Sequence, residues 1–177
     1  MRGPKPKEIR YEVKESGDGY KILYAIYWPN EIHPNKIFHL IYELFRKCYF
    51  GSEIDIEPIE VFLDKDGKIQ KVFFETEGKN KDDPYFPKHT LVEIFKKDGK
   101  WFKKMKGVVK EIESPFYGDR FLVEAKSWNH IYKLYSGDAT SERFDDLPLS
   151  YIDEQEYLKN KFSRRGLNIK KVHLRES

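Results

Sequence analysis

Glu113, Glu124 and Lys126 are the residues whose types and spacing come nearest to a reaction centre. Paired carboxylates with a lysine beside them are the groups that metal-assisted and acid–base chemistry draws on. Within Val123-Glu124-Ala125-Lys126, Glu124 and Lys126 fall on one face of a strand, because side chains two apart point the same way. Glu113, ending an expected strand over Val108 to Glu113, would face them across the loop Ser114-Pro115-Phe116-Tyr117-Gly118-Asp119. The same spacing recurs in Tyr11-Glu12-Val13-Lys14, where no partner carboxylate is at hand.

The set Glu113, Glu124 and Lys126 resembles the acidic-x-lysine hairpin of the PD-(D/E)xK nuclease families, and the resemblance implies metal-dependent cleavage of nucleic acid, with Glu113 and Glu124 holding a Mg²⁺ or Mn²⁺ ion that activates water and Lys126 steadying the charge on the attacked phosphate. The usual first aspartate of that pattern is absent from its place, and Asp119 lies too close to Glu124 in sequence to replace it. Other signatures of catalysis are missing. The histidines His33, His39, His89, His130 and His173 form no His-Glu-x-x-His pattern, although His39 stands one helical turn from Glu43. There is no Gly-x-Ser-x-Gly, no phosphate-cradling P-loop and no Gly-x-Gly-x-x-Gly. The one cysteine, Cys48, excludes an internal disulfide and a multi-cysteine zinc site. It falls on the apolar face of an expected helix, where burial would keep its thiol protonated.

Charge suggests a different role. The net charge is only +3, but it is unevenly spread. Lys96, Lys97, Lys100, Lys103, Lys104, Lys106 and Lys110 crowd one stretch, and Lys159, Lys161, Arg164, Arg165, Lys170, Lys171 and Arg175 load the C-terminal one. Glu53, Asp55, Glu57, Glu60, Asp64 and Asp66 make an acidic region between. Lysines exchange counterions with a phosphate backbone, and exposed rings stack on unpaired bases. The leading expectation is therefore a non-catalytic polyanion-binding module for RNA or single-stranded DNA, needing no cofactor. It would use Lys96, Lys97, Lys100, Trp101, Phe102, Lys103, Lys104 and Lys106 with Arg164, Arg165, Lys170 and Lys171. A third reading is a binder of small apolar ligands, because a helix laid on a curved sheet can enclose a pocket and aromatics make up 16% of the chain.

The elements that must position these groups are legible from period and turn chemistry. Glu8 to Val13 and Tyr20 to Trp28 read as antiparallel strands about the turn Gly17-Asp18-Gly19. A helix is expected from Pro34, with Ile37, Leu40, Ile41, Leu44, Phe45 and Cys48 packing on a sheet and His39, Glu43, Arg46 and Lys47 turned away, ending at Gly51. Asp66-Gly67 and Asp98-Gly99 each close a two-residue hairpin. The first sets Val61 opposite Val72 and Ile59 opposite Phe74. The second sets Val92, Ile94 and Lys96 opposite Met105, Lys103 and Trp101, with Phe95 opposite Phe102 and Glu93 opposite Lys104 on the other face. A third hairpin is expected between Val108 to Glu113 and Phe121 to Lys126, with a further strand within Trp128 to Tyr135. Asp153 would cap a short helix reaching Phe162.

These elements predict an α+β fold: a curved antiparallel β-meander of seven or more strands packed on one main α-helix. Residues 1–165 would form a single domain, followed by a basic tail or edge strand over 166–177. No apolar run reaches membrane-spanning length and the start lacks a signal-peptide core, so a soluble protein of the cytoplasm is expected.

Overall fold

In the computed structural model, residues 5–29, 31–33, 35–50, 54–78, 88–125, 130–137 and 146–162 are described. The main body is an eight-stranded sheet: β1 (Glu8–Ser16), β2 (Gly19–Trp28), β3 (Asp55–Leu63), β4 (Ile69–Gly78), β5 (Lys88–Lys97), β6 (Lys100–Met105) and β7 (Val108–Ile112) run as an antiparallel meander. Helix α1 (Lys36–Phe50) interrupts it between β2 and β3. Two small two-stranded sheets follow: β8 (Phe116–Tyr117) with β9 (Arg120–Phe121), and β10 (Val123–Ala125) with β11 (Tyr132–Leu134). Strand β12 (Leu149–Tyr151) then returns to the far edge and pairs parallel with β1, and α2 (Glu154–Phe162) follows it.

The β5–β6 register is as expected. At the β3–β4 turn the expected strand pairs form, but the two-residue loop does not: Leu63 pairs with Ile69 beside a bulge, the Asp64 N–H donates to the Lys68 carbonyl at 3.0 Å, and of Asp66 and Gly67 only Gly67 takes a positive φ (75°). Val61 faces Val72 and Ile59 faces Phe74, while all five expected pairs of the β5–β6 hairpin form. Asp98 (φ 50°) and Gly99 (φ 79°) both take the left-handed conformation that a twisted two-residue hairpin demands. At the β3–β4 turn Asp64 Oδ1 accepts the Asp66 and Lys68 backbone N–H groups at 3.0 and 2.9 Å, and Oδ2 accepts from Gln70 at 2.7 Å. The Lys68 N–H bond, foremost among these, holds the Asp64 carboxyl below its ordinary pKa.

Two apolar clusters lie on the two faces of the sheet. One joins Trp28, Ile59, Val61, Val72, Phe74, Val92 and Ile94 with Tyr132, so β10–β11 covers this face and β11 packs on β4. The other joins Leu23, Ala25, Tyr27 and Ile56 to Ile152 and Tyr157, so α2 covers the opposite face at the β1–β2 end. The side chain of Asp153 caps α2, accepting the Glu156 N–H at 2.8 Å as its sequence position suggested.

Two further expectations are corrected. The strand at Val123 does not return against β7; it pairs with β11, Glu124 standing opposite Lys133, and β7 pairs with β6. The intervening loop closes its own hairpin, Phe116 opposite Phe121, around Gly118 at φ 66°. The second correction concerns α1, which is turned over relative to its expected packing. Ile37, Leu40, Ile41 and Leu44 are 71, 68, 60 and 65% exposed, and Cys48 is exposed with them. Arg46 is buried instead, beside half-buried Tyr42. Helical period shows which residues share a face, not which face turns inward. Here acceptors waiting on the body decide it. Arg46 contacts Glu31 closely, donates to the Ile54 carbonyl at 3.0 Å and lies 3.7 Å from Asp55. The helix begins at an Asn35 cap, whose Oδ1 accepts the Ile37 and Phe38 N–H groups at 3.0 and 3.3 Å. Pro34 and Gly51 lie outside the described residues.

Candidate functional site

The cationic ribbon of β5, β6 and β7 is built by two tight turns in succession. Asp98-Gly99 joins the first pair, and Lys106 (φ 51°) with Gly107 (φ 77°) joins the second, holding a lysine at the tip in a conformation that non-glycine residues rarely adopt. Register then sorts the side chains. Lys103 stands directly opposite Lys110, and Lys96 stands opposite Trp101, so Lys96, Trp101, Lys103 and Lys110 share one face. On the other face Phe95 stacks on Phe102 (centroids 5.6 Å, 22°) among Lys97, Lys100 and Lys104.

The two faces differ in how their charges are met. Lys104 and Lys71 both approach Glu93, at 3.5 and 3.9 Å, and Lys100 binds Glu111 at 3.0 Å. Lys71 also lies over the rings of Phe62 and Phe73, which meet edge to face. Lys96, Lys103 and Lys110, by contrast, have no carboxylate within ion-pair distance among the described residues, and the same holds for Lys97 and Lys106. Trp101 is half-buried, packing on the main core and against Phe116 at 5.3 Å. Phe102 is half-buried too. Arg164, Arg165, Lys170 and Lys171 lie outside the described residues.

Of the acidic-x-lysine set, Glu113 is exposed just past β7, Glu124 is buried in β10, and Lys126 lies outside the described residues. Among the described residues the metal-type donors that do converge are others: Glu57, Glu75 and His89, whose ligand atoms all lie within 4.8 Å of one another. They meet where the sheet splays. Strands β3 and β4 pair from their turn as far as Ile59 and Phe74, beyond which β3 keeps β2 and β4 keeps β5. Glu57 is buried at this fork and His89 Nδ1 lies 2.6 Å from Glu75 Oε2. Two carboxylates and one imidazole suit a borderline cation such as Zn²⁺ or Mn²⁺ better than Ca²⁺. Direct hydrogen bonding between His89 and Glu75 accounts for part of the convergence. Negative charge nevertheless accumulates here. Burial first, then Glu57, Glu75 and Glu60, push the Tyr157 phenol well up; burial and then Glu57 do the same to Tyr132.

Beside the fork runs a buried polar chain that composition did not announce. Tyr42 and Arg46 both hold Glu31; Arg46 reaches Asp55; Asp55 Oδ2 meets His130 Nδ1 at 3.1 Å. His130, at φ 58° and fully buried, stacks on Trp28 at 4.1 Å and 6°, and the Trp28 indole N–H points to the Tyr132 hydroxyl at 3.4 Å. Burial, and then the charge of Asp55, raise the Glu31 pKa, and Arg46 and Tyr42 pull it down only in part. Burial also works against the Arg46 cation, but Glu31 and Asp55 outweigh it and its pKa is raised. One sign of these groups was present in the sequence: Glu57 occupies the period-two position of Ile59 and Val61, a carboxylate in an apolar register. His89 and His130 carried no such sign, because only folding brings them to their partners.

Comparison with protein-family models, with curated proteins and with solved structures finds no match for this chain.

Proposed function

We propose that the β5–β7 ribbon is a non-catalytic binding surface for single-stranded nucleic acid, RNA or DNA. The observation that carries this reading is the direct opposition of Lys103 and Lys110, with Lys96 diagonal to them, among described residues that offer no carboxylate. Like charges directly opposite on adjacent strands are destabilising, so a bound anion would relieve them. Trp101 lies on the same face beside the cations, half-buried. Phosphates would take the lysines and a base would lie against the indole, which favours an unpaired strand over a duplex. Among the described residues no helix is long and apolar enough to cross a membrane.

Fluorescence anisotropy with labelled oligo(U) and oligo(dT) of about a dozen nucleotides tests the reading across a salt series. Replacing Lys96, Lys103 and Lys110 together by Gln is expected to reduce the slope of log K against log salt by about 2, since each neutralised phosphate on a single strand contributes about 0.7. Oligonucleotide should also quench the fluorescence lost in Trp101→Phe. Absence of binding at low salt, or an unchanged slope in the triple variant, rejects the ribbon as the interface.

A further inference from the structure

We infer that the outward face of α1 is the contact surface of a homodimer, in which two copies of this chain pair helix to helix. Ile37, Leu40, Ile41 and Leu44 follow one another at three- and four-residue spacing and make a continuous stripe, flanked by Phe38 at 45% and Phe45 at 49% exposure. At ~200 Å² for a fully exposed side chain of this size, these six offer about 700 Å² of apolar surface, above the 300–600 Å² of a typical monomer's largest patch and close to the ~800 Å² each partner contributes to a stable interface.

The stripe cannot be relieved by rolling the helix inward. Rolling α1 over would pull Arg46 away from buried Glu31 and half-buried Asp55 and leave those carboxylates without their cation. The polar network thus holds the apolar face outward, and the surface is a fixed feature of the fold.

A second copy suits this face better than a lipid surface or an unlike partner, for three reasons on the helix itself. The spacing of Ile37, Leu40, Ile41, Leu44 and Cys48 is that of a helix-pair seam, whose best complement is another such seam. One flank carries Lys36, Glu43 and Lys47, charges of both signs as along the edges of a self-pairing helix, with Glu43 3.4 Å from His39 of its own helix. The helix also lacks the cationic polar face of a membrane-surface helix, because its opposite side is spent on the body of the protein.

Sedimentation equilibrium on the full chain over ~5–200 µM tests this, read beside Leu44→Glu and Leu40→Glu, with Val13→Glu as a control for an exposed apolar residue elsewhere. The wild type and Val13→Glu should approach twice the 21.2 kDa chain mass, and each helix variant should shift the midpoint of association at least tenfold upward with unchanged far-UV circular dichroism. The melting temperature of the wild type should rise with concentration and that of the variants should not. A monomeric wild type throughout the range overturns the inference, whether or not it binds vesicles of anionic lipid. So does a dimer that both helix variants leave intact, or a loss of helical signal in them, which would mean that the face is packed within one chain.

Discussion

Arg46→Met is expected to cost about 3–5 kcal/mol of folding stability, the range for removing one member of a buried ion pair. For a chain of this size that lowers the melting temperature by about 10 °C or more. The side chain of methionine fills similar space, so the loss reports Glu31 and Asp55 deprived of their shared cation, not a cavity. Its pH dependence identifies the cause. Glu31 is already raised above its ordinary value of 4.5 in the folded protein; without Arg46 to draw it down it rises further. Below the ordinary value both folded and unfolded chains hold the proton, and the carboxylate imposes no penalty. As pH climbs toward the folded pKa the unfolded chain releases the proton first, so folding stability falls. The deficit of Arg46→Met relative to wild type should therefore be smallest in acid and widen toward neutrality. Urea titrations at several pH values measure it, and adding Glu31→Leu should recover part of the loss at neutral pH. A deficit independent of pH would place the effect in packing instead.

Gly19→Ala is the second large effect. A Cβ at this position would sit 2.0 Å from the Leu63 carbonyl oxygen and 3.0 Å from the Asp64 Cα, both backbone atoms that cannot swing aside. Strand β2 would have to move off β3 at the point where the two start to pair, Tyr20 opposite Leu63. Overpacking of this kind costs about 1–3 kcal/mol and more where the obstacle is rigid, and the upper end is expected. Gly17→Ala is the informative comparison. Gly17 has φ 56° with nothing near its missing Cβ, so only the left-handed conformation is penalised, at about 1–2 kcal/mol. Thermal melts should rank Gly19→Ala well below Gly17→Ala; equal losses would show that the β2–β3 spacing relaxes at little cost.

The parts of the fold that were legible in the sequence are those governed by local chemistry. Asp98-Gly99 determines its turn, the turn determines register, and a period of two then assigns the side chains of β5 and β6 to their faces; Asp66-Gly67 marks a turn, but a bulge beside it, not the loop length, brings Val61 opposite Val72. The Asp153 cap of α2 worked in the same way. What was not legible depends on competition between distant partners. Val123 to Ala125 had β7 and β11 as candidate mates, and the choice turned on Phe116 and Phe121 closing a hairpin of their own between them. The orientation of α1 was settled by Glu31 and Asp55, which lie outside the helix and form no pattern with it in sequence. The cationic stretch of the candidate interface was readable as composition. That Lys103 and Lys110 oppose each other while Lys100 and Lys104 find carboxylates required the strand order.

The parallel pairing of β12 with β1 has a consequence for how the chain is made. Tyr11, on a strand that leaves the ribosome early, waits for Tyr151 as its neighbour, and the Ile152 N–H closes on the Tyr11 carbonyl at 2.9 Å. Until that late segment emerges, one margin of the nascent sheet displays unsatisfied amide groups, the template on which chains aggregate. Slow translation or truncation ahead of Leu149 should therefore harm yield far more than the three short rungs of β12 would suggest.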